Sequence, residues 1–143
     1  MKEKMQNDII HALTVIEIGG ILEEKERKDK DGNKFKVYVL PNEYKGYISS
    51  YGAAVGQSGL LPATMFFSEK GNDKTKKMRC RLMRAIYAVL KNETPKTDSD
   101  NQDHILLNYA KANFSNRKNI QKVLDAAIAL KMAMRGFESS ESA

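Results

Sequence analysis

The sequence predicts an all-α fold: a compact bundle of five to six helices in a single domain. Two observations lead there. Apolar residues recur at helical spacing through most of the 143 residues, and the helix-favouring Lys, Glu, Ala, Leu and Met are spread along nearly the whole length. A third is the scarcity of strand signals, since only KFKVYVLP at 34–41 alternates polar and apolar, and it has no obvious partner. A chain of this size buries roughly 70% of its unfolded surface, enough for one real core.

The first helix is expected over 5–25. Ile9, Ile10, Leu13, Ile16, Ile21 and Leu22 make its apolar face, and Gly19–Gly20 weaken its second half. The charged stretch EKERKDKDGNK then reads as an exposed loop turning at Asp31–Gly32. Asp29, Asp31 and Asn33 fall short of a calcium loop, because the glycine comes too early and the closing glutamate is missing. Residues 34–41 are expected as an extended connector, with Pro41 biasing Leu40 to extended geometry. Asn42 can cap a helix over about 43–57 that aligns Tyr44, Tyr47, Ile48, Tyr51, Ala54 and Val55. Gly56 and Gly59 end it.

Pro62 suits the first turn of the next helix, about 60–69, where its missing N–H costs little. Leu60, Leu61, Met65, Phe66 and Phe67 make that helix apolar nearly all round, as expected of a core element or a subunit interface. Asp73 is placed to cap a helix over 74–91, whose buried stripe is Met78, Leu82, Ala85, Ile86 and Val89. NETPKTDSDNQD at 92–103 reads as an exposed loop. Helices over about 103–113 and 116–135 follow, the second capped by Ser115 and burying Ile120, Val123, Leu124, Ala127, Ile128, Leu130 and Met134. The domain thus spans 1–137, and 138–143 is expected as a disordered tail.

The net charge of +6 is local. Residues 1–73 carry ten bases and eleven acids, and residues 93–143 carry seven of each. Segment 74–92 holds Lys74, Lys76, Lys77, Arg79, Arg81, Arg84 and Lys91 and no acid. Lys77, Arg81, Arg84 and Lys91 share one side of the helix, with Lys76 and Arg79 on the other edge. Like charges so close repel by a few tenths of a kcal/mol per pair (order of magnitude). Such a stripe is either a solvated face or a field presented to an anionic partner.

Little else points to chemistry. His11 and His104 stand far apart, Cys80 is the single cysteine, and no Cys or His pair has zinc-ligand spacing. Gly56–Gln57–Ser58–Gly59 would need a further glycine at Leu60 and a preceding strand to make a nucleophile elbow. The expectation is therefore no enzyme, no metal and no cofactor. No apolar run approaches the length of a membrane span, no cleavable signal follows the polar N-terminus, and the chain is expected in a reducing cytoplasm.

Against this reading, Tyr47-Ile48-Ser49-Ser50-Tyr51, running through Val55 into Ser58-Gly59-Leu60, then Ala63, Phe66-Phe67 and Lys70, resembles the central motif of the small-subunit family of type III-B CRISPR (Cmr) effector complexes. The closing segment Ala126-Ala127-Ile128-Ala129-Leu130-Lys131, on to Arg135, is similar to that family's last helix. Ser58 stands where the family usually has asparagine, and Gly52 where proline is common. The resemblance implies a compact helical, non-catalytic scaffold of which several copies stack beside other effector subunits. Together they would line a groove for guide RNA paired to target RNA. The resemblance spans most of the chain, from the first helix to residue 137, but its matched motifs do not include the bases of the basic helix. There the charge pattern itself nominates Lys77, Arg81 and Arg84 as phosphate contacts, Lys74, Arg79 and Lys91 next, and Lys45 more weakly. The partners expected are guide and target RNA, other type III subunits and neighbouring copies of the chain. A helical adaptor docking on an acidic protein, the sister III-A subunit and a minor enzyme remain as alternatives.

Overall fold

A computed structural model describes residues 2–98 and 104–140. Six helices dominate: α1 (Lys2–Ile18), α2 (Glu43–Ser58), α3 (Leu60–Phe67), α4 (Lys74–Lys91), α5 (Ile105–Asn113) and α6 (Arg117–Ala133), the last continued by a 3-10 turn at Met134–Gly136. The fold is not strictly all-α. Strands β1 (Glu23–Lys28), β2 (Lys34–Pro41) and β3 (Ser139–Ser140) form a small sheet in the order β1-β2-β3.

The sheet corrects the expectation of a loop followed by an extended connector. β1 and β2 pair antiparallel from Glu23 opposite Val39 to Lys28 opposite Lys34. At their turn, Asp29 Oδ1 accepts from the backbone N–H of Asp31 and of Asn33, each at 2.9 Å, so the acid that fails as a calcium ligand closes a hairpin. β1 has no apolar residue and is exposed throughout, which is why periodicity could not reveal it. Cross-strand charges replace burial: Glu24 pairs with Lys36 at 3.1 Å and Glu26 with Lys34 at 3.5 Å.

The first part of the expected tail is also placed. Leu40 N–H donates to the Glu138 carbonyl at 2.8 Å, β3 runs parallel to the end of β2, and Arg27 meets Glu138 at 2.5 Å. Residues 141–143 of that tail, and 99–103 of the expected 92–103 loop, lie outside the described residues.

α1 stops at Ile18 rather than 25. Gly19 N–H still bonds Val15 O at 2.8 Å, and Gly20 then takes φ +79°, a left-handed conformation that turns the chain toward β1. α2 buries Tyr44, Ile48, Tyr51 and Val55, as its spacing requires. At the α2–α3 corner Gly59 has φ +96° and bonds back to Val55 O at 3.0 Å. α3 divides its apolar surface: Leu60, Ala63, Thr64 and Phe67 are buried, while Met65 and Phe66 stay about half exposed. Asn116, not Ser115, caps α6, its side chain accepting from Asn119 N–H. Val123, Ala127, Leu130 and Met134 are buried, and Ile128 is exposed.

α4 is the hub, packed against α1, α2, α3, α5 and α6. Its buried set extends beyond the expected stripe to Cys80, Met83, Arg84 and Ala88. A helix surrounded by five others has little free face left. That limit governs the fate of its basic residues.

Candidate nucleic-acid interface

α4 begins after Asp73, which holds extended geometry at the N-cap position but makes no side-chain capping bond. Its first turns are buried on one side, through Met78 and Cys80, and open to solvent on the other. Lys74 and Lys77 are exposed there, and Lys74 Nζ lies 3.3 Å from Glu43 Oε2 at the start of α2. Lys77 has no ion-pair partner among the described residues. It stands on the rim between two cavities. One, of about 540 Å³, is bordered by Lys74, Lys77, Arg81 and the start of β1. The other, of about 350 Å³, is bordered by Lys77, Arg84, Asp98 and the turn at Lys70–Asn72.

Arg81 and Arg84 are not simple solvent-facing cations. Arg81 donates to both oxygens of Asp98, Nε at 3.1 and 3.3 Å and Nη2 at 2.8 Å. Arg84 Nη2 also bonds Asp98 Oδ1, its Nε donates to the Lys96 carbonyl at 3.2 Å, and only 2% of its side chain is exposed. The Arg81 bonds to Asp98 raise the guanidinium's pKa further, with Tyr44 adding to the effect. Arg81 likewise holds the Asp98 carboxyl below the usual carboxylate range, against a smaller opposing effect of burial. Burial pushes the Tyr44 phenol up. Although α4 itself carries no acid, Glu43 and Asp98, from two different segments, supply counter-charges to Lys74, Arg81 and Arg84.

Arg79 and Lys91 stand apart from this group and line neither cavity. The Arg79 guanidinium lies 4.7 Å from the Phe66 ring centroid, 5.3 Å from Phe67 and 5.6 Å from Tyr47. Its Nε is buried with no hydrogen-bond partner among the described residues, so aromatic faces rather than acceptors hold it. Lys91 sits 5.0 Å from the Tyr109 ring. Lys45 Nζ donates to Ser139 Oγ at 2.6 Å and is committed to the sheet end.

Of the six predicted bases, the fold thus brings Lys74, Lys77, Arg81 and Arg84 to one side and separates the other two. Sequence reasoning missed Asp98 and Asn72. Asp98 was hidden because the charges of 93–143 cancel when counted by segment. Elsewhere, His11 Nε2 lies 2.8 Å from the Glu93 carbonyl, and Cys80 Sγ lies 3.6 Å from the Glu69 carbonyl in a buried position. Among the described residues no three His, Cys, Asp or Glu side chains are grouped to hold a metal ion, and no helix is long and apolar enough to cross a membrane.

Comparison with known families gives one match: the model described as CRISPR-associated protein (Cas_Cmr5) matches residues 25–136. No curated protein and no solved structure matches the chain. The matched span runs from within β1 through the 3-10 turn that follows α6 and includes the whole basic helix.

Proposed function

The chain belongs to the Cas_Cmr5 family of CRISPR-associated proteins, the small subunits of type III-B effector complexes, and from that premise we propose that it is a non-catalytic, RNA-binding scaffold acting in the cytoplasm. Guide and target RNA are its nucleic-acid partners, and other effector subunits and neighbouring copies of itself are its protein partners. One observation carries this reading: Lys74, Lys77, Arg81 and Arg84 gather along two adjoining cavities on one side of an acid-free helix. Such a surface suits phosphates spaced along a backbone and is indifferent to base identity. Sequence specificity then comes from pairing between guide and target, while the protein tracks backbone geometry. Each copy adds a few phosphate contacts, and stacking copies along one RNA multiplies a weak individual affinity.

A second reading is supported by the Asp98 contact, since a face that takes a carboxylate from its own chain suits one from an acidic protein as well. The distinguishing experiment is binding of labelled single-stranded RNA, then of a guide–target duplex, at low and physiological salt. The RNA reading expects weak binding that falls steeply with salt, and at least about tenfold loss in the double variant Lys77→Glu, Arg81→Glu. No binding at low salt moves the basic face to an acidic protein partner.

A further inference from the structure

We propose that the cavity between α4 and the turn at 70–72 is a subsite for a single RNA backbone phosphate, and that the Asp98 carboxylate fills the guanidinium positions of that subsite until the phosphate replaces it. The inference rests on the RNA-binding reading and adds to it how the site is occupied before RNA arrives.

Two guanidinium groups, one helical turn apart on α4, converge on one carboxylate. Arg84 forms the floor. It is buried, and the Lys96 carbonyl holds its Nε, so its remaining N–H groups are aimed rather than free to swing. Arg81, which borders the adjoining cavity, holds the same carboxylate from the other side, Nε and Nη2 both donating to Oδ2 and Nε also reaching Oδ1 at 3.3 Å. Such a fork accepts a phosphate's two non-bridging oxygens in the same way as a carboxylate's pair. A phosphodiester also carries a full negative charge, and Lys77 stands on the rim of the same cavity to meet it. A volume of about 350 Å³ leaves room for the phosphate and its flanking ester oxygens.

Asp98 is suited to leave. Its side chain is 58% exposed, so one side already faces water, and it lies in the polar stretch after α4, outside the packed α-helices. Two anions cannot share the same forks without strong like-charge repulsion, so binding proceeds by exchange and not by addition. The exchange keeps Arg84 paired at both ends of the process, which a buried guanidinium requires. It also lowers the affinity of a single copy, so that stable binding needs several copies on one RNA.

The test uses the full chain, labelled single-stranded RNA and a salt series, comparing wild type, Asp98→Asn and Lys77→Glu. The neutral amide still offers an oxygen to Arg84 while removing the competing charge. Expected is roughly three- to tenfold tighter binding for Asp98→Asn at low salt, the effect of about one charge at a half-exposed site. Its salt slope should steepen by about 0.7. Wild-type affinity and slope in Asp98→Asn, with Lys77→Glu still weakened, would overturn the exchange and leave the RNA-binding function standing. Failure of wild type to bind at low salt overturns both. A second measurement on wild type guards against a folding defect: the Asp98 carboxyl carbon and Arg81 Nε NMR signals should move together on saturation with RNA. An unmoved Asp98 signal overturns the exchange.

Discussion

The Tyr51 hydroxyl lies 2.8 Å from Thr64 Oγ1, and Thr64 donates its own proton to the Leu60 carbonyl at 2.7 Å, so Tyr51 is the donor of the pair. Both residues are buried, and the bond ties α2 to α3 across the corner at Gly59. The Tyr51 ring also meets Phe67 edge-on, 5.3 Å between centroids. This corner sets the direction in which the chain leaves α3 for the turn that borders the phosphate subsite.

Tyr51→Phe should destabilise the protein by about 1 kcal/mol, the net value of one hydrogen bond, because Thr64 keeps its bond to Leu60. Thr64→Val should cost more, about 1–3 kcal/mol, since it strands a buried phenol. Urea unfolding of the two variants tests the order.

Burial pushes the Tyr51 phenol up to about 12, against a smaller lowering by Thr64. The folded state holds this proton to higher pH than the unfolded chain, which releases it near pH 10 (model-peptide value about 10). The stabilisation is therefore complete below about pH 10 and is lost as pH rises toward about 12, by about 1.4 kcal/mol per unit. Unfolding curves at pH 9 and 11 should show a smaller loss in Tyr51→Phe than in wild type.

Gly59 combines φ +96° with ψ +163°, a region open essentially to glycine alone. A Cβ there would meet only Pro62 Cδ at an ordinary 3.8 Å, so the cost of Gly59→Ala is backbone strain. A loss of about 1–3 kcal/mol is expected in urea, with native circular dichroism retained before the transition.

Arg84 and Lys77 should separate fold from binding. Arg84→Glu places a carboxylate beside Asp98 in a buried position and should prevent stable folding, seen as loss of the cooperative thermal transition. Lys77→Glu alters an exposed side chain and should change stability by no more than about 0.5 kcal/mol while weakening RNA binding.

Arg79 over Phe66 should show direct coupling. A double-mutant cycle with Arg79→Ala and Phe66→Leu should return about 0.5–1 kcal/mol, the range for a partly exposed cation–π contact. A cycle summing to zero would remove the aromatic seat as the reason Arg79 stays off the solvent face.

The helices were legible because each buries residues at its own spacing. Tyr44, Ile48, Tyr51 and Val55 of α2 carry their period in local order, as do Met78, Leu82 and Ile86 of α4. The hairpin was illegible for the opposite reason: EEKERK buries nothing, and its pairing with 34–41 rests on backbone bonds and diagonal ion pairs that leave no apolar rhythm. The start of the tail was hidden likewise, since Ser139–Ser140 join the sheet through the backbone.

The sequence by itself determined where the helices lie, where the positive charge concentrates, and the family motif around Gly59. Tertiary structure alone decided which bases remain available. Arg81 and Arg84 meet a carboxylate 17 and 14 residues away along the chain, and Arg79 meets aromatic rings contributed by two other helices. Helical periodicity is a local property, written in spacings of three and four residues. Charge neutralisation depends on distance in space, and so it exists only once the packing around α4 has formed.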